Sequence, residues 1–319
     1  MTEKIQNELT EAVISGLTNT PKSLPSWLFY DDNGDKIFQE IMAMPEYYLT
    51  NCEFEILKQY KGEILEILKD DPKHIKLIEL GAGDGSKTEI LLEHFLNNKL
   101  DFEYNPVDIS SAVLEQLENR LKKNLPLLHI NSSNQRFKDV LIEMHGHTEN
   151  RKFILFMGAN IGNFSLYDAQ LFINQISRQL NQGDYLMVGF DLKKLPRIIQ
   201  QAYDDPHGIT SRFNLNLLQR LNNELGANFK IEQFEHYSYY EITTGASKSY
   251  LVSKIDQRVK FTEIDLEVNF KQAEYIHTEV SQKYDMEMIE KMAEIANLFI
   301  HTSFSDKDNN FADVLFKKI

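Results

Sequence analysis

The residues best suited to chemistry by type and spacing lie between Lys76 and Thr88. Lys76-Leu77-Ile78-Glu79-Leu80 reads as a buried strand, Gly81-Ala82-Gly83-Asp84-Gly85-Ser86 as a turn, and Lys87-Thr88 as the entry to a helix. Glycines at alternate positions let backbone approach a ligand closely, and the following helix N-terminus favours a polar or anionic group. Taken alone, the same run is also an ordinary tight turn. A dinucleotide-binding loop needs glycine or alanine where Ser86 stands, which counts against a nicotinamide cofactor.

With Glu79 two residues ahead of Gly81, the loop instead resembles the first motif of class I S-adenosylmethionine-dependent methyltransferases. Tyr104-Asn105-Pro106-Val107-Asp108 supports that resemblance, because Asp108 ends the next strand and could accept both ribose hydroxyls.

The elements that must position this loop follow from the apolar pattern. Short β-rich runs at Ile75 to Leu80, Phe102 to Ile109, Leu127 to Ile130, Phe153 to Ala159 and Tyr185 to Asp191 alternate with helical runs. The helical runs are Lys87 to Leu96, Ala112 to Leu121, a shorter one near Val140 to Met144, and Tyr167 to Leu180. Such alternation predicts an α/β fold, a parallel sheet covered by helices with ligands at the carboxyl ends of its strands. The ending has a helix over Met286 to Phe299 and strand-like pieces at Ile300 to Ser305 and Phe311 to Lys317, which predict an antiparallel hairpin returning to that sheet.

Outside this region the pattern changes. Ile5, Leu9, Ala12, Val13 and Leu17 fall at helical spacing, a second short helix carries Ile37, Phe38 and Ile41, and a longer one runs from about Glu53 to Leu68. After Leu192 come helical runs near Leu195 to Tyr203 and Phe213 to Leu225, then strands around Lys248 to Lys254 and Lys260 to Phe270. The expected organisation is a Rossmann-like methyltransferase core over 53–194 and 283–319, with a discontinuous α+β substrate-binding domain from 1–52 and 195–282.

Across nearly the whole chain the sequence resembles the L-histidine Nα-methyltransferases of ergothioneine biosynthesis. The segments that carry the resemblance are Pro21 to Pro25, Trp27 to Asp32, Pro45 to Thr50 with Glu53, Met157 to Phe164, Ala202 to Asp205, Leu225 to Ala227, and His277 to Tyr284. It implies S-adenosyl-L-methionine as cofactor and a free amino acid as substrate. By position, Tyr30, Phe38, Glu79, Gly81, Gly83, Gly85, Lys87 and Asp108 would belong to the cofactor. Tyr47, Gly158, Asn163 and Tyr203 would hold the substrate's amine and carboxylate, with Tyr47 and Asn163 nearest the chemistry. Glu279 and Ser281 would meet an imidazole.

The chain departs from the family pattern at three places. Asn51 replaces an arginine, and Asn131-Ser132-Ser133-Asn134-Gln135 stands where relatives place an acid for the adenine, so an amide is expected there. Ser249 replaces a methionine beside the substrate ring.

Composition narrows the alternatives. Lys plus Arg is 34 against 48 for Asp plus Glu, a net charge of −14 that opposes nucleic-acid phosphates and anionic lipid. The N-terminus shows no export signal, and apolar runs such as Phe153 to Met157 fall far short of the ~18 residues of a membrane span. The single cysteine, Cys52, excludes an internal disulfide and reads as a packing residue, consistent with a reducing cytoplasm. Glu143, His145 and His147 lie in a polar loop, and no metal is expected. A cytoplasmic monomer acting on a small molecule is the leading expectation. A nicotinamide enzyme, a methyltransferase for another amino acid or amine, and a noncatalytic S-adenosylmethionine-binding protein are the alternatives.

Overall fold

The structure is a computed structural model that describes residues 3–143 and 150–319. His145 and His147, weighed above as metal ligands, lie outside the described residues. Two compact units emerge: Met1–Tyr48 with Lys194–Ser281, and Leu49–Lys193 with Gln282–Ile319.

The second unit is built on a seven-stranded sheet. Its order is Leu298–Ser305, Phe311–Lys318, Tyr185–Asp191, Arg151–Phe156, Ile75–Leu80, Phe102–Asp108, Ser133–Asn134. Neighbours from Tyr185–Asp191 to Ser133–Asn134 run parallel. The final hairpin is antiparallel, and Phe311–Lys318 pairs directly with Tyr185–Asp191. Helices Glu89–Asn97, Ser111–Asn124, Phe137–Glu143 and Leu166–Ser177 join the parallel strands. Arg151–Phe156 and Tyr185–Asp191 are buried along their whole length, which is why they read as near-continuous apolar runs without alternation. The chain leaves Ile75–Leu80 toward Phe102–Asp108 on one side, while Arg151–Phe156 lies on the other, so the sheet changes direction beside the glycine loop.

In the first unit a four-stranded sheet has the order Lys22–Ser23, Tyr275–Gln282, Ala246–Ser253, Phe234–Glu241. Its core joins Leu9, Val13 and Leu17 of helix Glu3–Thr18 and Phe213, Leu217 and Leu221 of helix Ile209–Leu225 to Phe234, Leu251 and Ile276 of the strands.

Several expected elements differ. Leu127 to Ile130 makes only an isolated bridge from Ile130 to Tyr104, since Pro126 cannot donate to a ladder and Leu127 is 83% exposed; the strand forms later, at Ser133–Asn134. Lys260 to Phe270 is two strands, Gln257–Phe261 and Leu266–Phe270, joined by a turn in which Asp265 takes φ 47°. The last helix stops at Ile295, because Asn297 at φ 51° turns the chain into a strand that already starts at Leu298. Phe234–Glu241 was not expected at all: its tyrosines, histidine and glutamates blur the apolar-polar alternation. No helix among the described residues is long and apolar enough to cross a membrane.

Candidate active site

In the second unit the loop after Ile75–Leu80 turns through Gly81, Gly83 and Gly85 at φ of 75°, 55° and 65°, a region that side chains with a Cβ rarely adopt. Gly81 and Ala82 both donate to the Val107 carbonyl, at 2.8 and 3.1 Å, and this ties the loop to the end of the neighbouring strand. There Asp108 receives the Gly83 amide on Oδ2 and the Ser110 amide on Oδ1, each at 2.9 Å. Each carboxylate oxygen keeps lone-pair capacity for a further donor. Burial raises the Asp108 pKa, while the backbone amides of Ser110, Gly83 and Ile109 oppose that shift. A Cβ added at Gly83 would meet no atom within 4 Å, so the loop offers its backbone openly at that point. These features fit the ribose and amino-acid parts of S-adenosylmethionine.

Glu79 is nearly buried and receives the Thr88 hydroxyl at 2.6 Å and the Tyr104 hydroxyl. Burial pushes its pKa up to about 7 against those two bonds. Both oxygens brace the flanks of the loop from within. Lys87 points its ammonium at Glu53, whose Oε1 also accepts the Gly158 amide at 2.7 Å. Burial is the largest influence and would depress the Lys87 pKa, but the Glu53 charge and hydrogen bond together with the charges of Asp313 and Glu79 raise it, so the ammonium is held. Gly158 and Ala159, at φ 73° and 56°, lead into the short 3-10 helix Asn160–Asn163. The half-buried Asn163 has no hydrogen-bond partner for its side chain among the described residues, which leaves both a donor and an acceptor to a ligand.

The segment expected to supply an amide to the adenine is partly committed elsewhere. Asn134 donates to the Asp108 and Ile109 carbonyls at 3.0 and 2.9 Å, and Asn131 to Glu103 at 3.2 Å.

In the first unit the aromatic candidates form one row. Tyr30 meets Phe38 edge-on with ring centroids 5.6 Å apart, Phe38 meets Tyr47 at 6.3 Å, and Tyr47 meets Tyr203 at 6.5 Å. The buried Arg220 fixes the start of the row by donating to the Leu28 and Tyr30 carbonyls. At its other end the Tyr203 hydroxyl bonds the Ser281 hydroxyl at 2.7 Å. Glu279 lies two residues earlier on the same strand and accepts a hydrogen bond from Ser249 at 3.2 Å. Ser249 therefore orients a carboxylate, a role that its replacement of methionine did not suggest.

Sequence reasoning overlooked how Glu53 and Asp313 act. Asp313 was detectable, since it is an acid inside the apolar run Phe311-Ala312-Asp313-Val314-Leu315-Phe316. No cluster of potential metal ligands occurs among the described residues.

A parallel sheet with a glycine loop after its central strand, an aspartate ending the next strand, and an antiparallel closing hairpin together define a class I methyltransferase. The chain belongs to the family of histidine-specific, S-adenosylmethionine-dependent methyltransferases, whose model matches residues 9–318. It is 33% identical over 293 residues to the histidine N-alpha-methyltransferase of Mycobacterium tuberculosis, covering 92% of this chain and 89% of that protein. The enzyme of the same name from Mycolicibacterium smegmatis is 34% identical over 288 residues, covering 90% and 87%. Ergothioneine biosynthesis protein 1 of Schizosaccharomyces pombe is 32% identical over 237 residues, 72% of this chain and 31% of that protein.

Proposed function

We propose that the enzyme methylates the α-amine of free L-histidine, up to the trimethylated betaine. The carrying observation is the polar pair on strand Tyr275–Gln282. A carboxylate held by Ser249 and a hydroxyl held by Tyr203 lie two residues apart on one strand, suited to the two nitrogens of an imidazole.

The methyl donor supplies an electrophilic methyl on a sulfonium. Asp108 and the loop from Gly81 to Gly85 hold its ribose and amino-acid portions, and Lys87 takes its carboxylate. The substrate amine reacts only with a free lone pair, so its surroundings must orient it without trapping the ammonium form. Asn163 can accept from the amine or donate to the carboxylate, and the tyrosine hydroxyls of Tyr47 and Tyr203 add no fixed negative charge. Catalysis then rests chiefly on positioning, which can contribute ~7 to 11 kcal/mol. Aromatic faces such as those of Tyr47 and Tyr203 also tolerate the growing quaternary nitrogen.

Steady-state kinetics with histidine and tryptophan, with products read by mass, test the assignment. Wild type should prefer histidine by orders of magnitude, because an imidazole offers one ring nitrogen to Glu279 and the other to Ser281, whereas an indole carries a single N–H donor and no acceptor. Glu279→Ala should lose most of that preference. Equal kcat/KM for the two amino acids in wild type, or methylation on a ring nitrogen, would refute it.

A further inference from the structure

Beneath the Gly158 turn the second unit buries more acids than cations. Glu53 and Asp313 are wholly buried and Glu79 nearly so, and Lys87 is the cation whose charge reaches all three. Asp313 lies directly across from Gly189 on the neighbouring strand. Glu53 occupies the space above Gly189, where an added Cβ would stand 2.7 Å from its Oε1. The two carboxyl groups therefore meet over this glycine, and no N–H or O–H of the described residues reaches either oxygen of Asp313.

Two ionised carboxylates in such contact repel strongly, so one of them keeps its proton. Glu53 already receives the Lys87 ammonium and the Gly158 amide. Asp313 has neither. Burial, followed by the Glu53 charge, pushes the Asp313 pKa well above the usual carboxylate range.

We propose that Glu53 and Asp313 hold one proton between them, and that the single remaining charge grips Lys87 and the Gly158 amide, making Glu53 a positioning residue for the carboxylate end of the methyl donor. The proposal rests on the placement of Lys87 at that carboxylate. With Asp313 protonated, Asp313, Glu53 and Lys87 sum to zero charge, which leaves Glu79, whose pKa burial raises to about 7, as the remaining acid within reach of Lys87. Ionising Asp313 as well would add a negative charge beside Lys87 and oppose the incoming carboxylate.

The test combines urea unfolding with calorimetric binding of S-adenosylhomocysteine. An Asp whose folded pKa is raised binds a proton that the unfolded chain has released, so its native state loses stability as pH climbs above about 4. Asp313→Asn removes that loss. The unfolding constant of wild type relative to Asp313→Asn should rise by up to about tenfold per pH unit between pH 5 and 8. Glu79 and Lys87 are common to both proteins and cancel to first order in the ratio. Glu53→Ala should weaken S-adenosylhomocysteine binding at least tenfold, and Glu53→Gln, which keeps an acceptor for Gly158, should recover part of it. Should the alanine variant not fold, Glu53→Gln alone should bind several-fold more weakly than wild type. A pH-independent stability ratio, or wild-type affinity in the Glu53 variants, overturns the proposal. Failure of wild type itself to bind S-adenosylhomocysteine would instead overturn the cofactor placement.

Discussion

Asp108 shows how much one carboxylate can do at the residue scale. It closes the glycine loop through the Gly83 amide, caps its own turn through Ser110, and keeps lone pairs for further donors, which the proposed function assigns to the ribose. Asp108→Ala should therefore weaken S-adenosylhomocysteine binding by more than roughly tenfold, since two ribose donors and two backbone amides lose an acceptor at about 1 to 3 kcal/mol each before partial recovery by water. Calorimetric titration measures it, and unchanged affinity would move the ribose elsewhere. Ser249 teaches the reverse lesson. Its side chain is small, yet by donating to Glu279 it sets the direction of the carboxylate proposed to meet the substrate ring.

At the scale of elements, the helix Asp32–Ala43 carries Phe38 into the aromatic row, and its N-cap decides where that row begins. Asp31 caps it by accepting the Gly34 amide at 2.7 Å and also accepts from Asn216 of helix Ile209–Leu225 at 2.8 Å. No larger residue can replace Gly34, since an added Cβ would stand 1.8 Å from the Phe29 carbonyl oxygen. Asp31→Ala removes a cap and a bond between two helices, and should cost about 2 kcal/mol by denaturant unfolding. A loss below a few tenths of a kcal/mol would show that water replaces both bonds.

The charge of the whole molecule acts on its ligands before they touch any residue. At −14 the chain attracts S-adenosylmethionine, whose sulfonium and ammonium outweigh its carboxylate, but not the neutral S-adenosylhomocysteine. Raising ionic strength from about 0.02 to 0.5 M shortens the Debye length from roughly 20 Å to 4 Å. It should therefore raise KM for the donor several-fold and leave the product's inhibition constant nearly unchanged. Parallel shifts in both would show that local contacts, not the overall field, carry the salt effect.

The sequence by itself determined whatever is written locally. The run from Glu79 to Thr88 combines glycines with a strand and a helix in one continuous segment, and the closing strands at Leu298–Ser305 and Phe311–Lys318 announce themselves by apolar content. Resemblance added the segments around Tyr47, Asn163 and Glu279. Tertiary structure decided what depends on residues distant in the chain. That Ser249 meets Glu279 requires two strands to align, and that Tyr203 meets Ser281 requires a helix to pack beside them. The meeting of Glu53 and Asp313, 260 positions apart, is the extreme case. Each looks unremarkable in sequence, because the energy of a buried acid lies in what surrounds it, and only the folded chain supplies that surrounding.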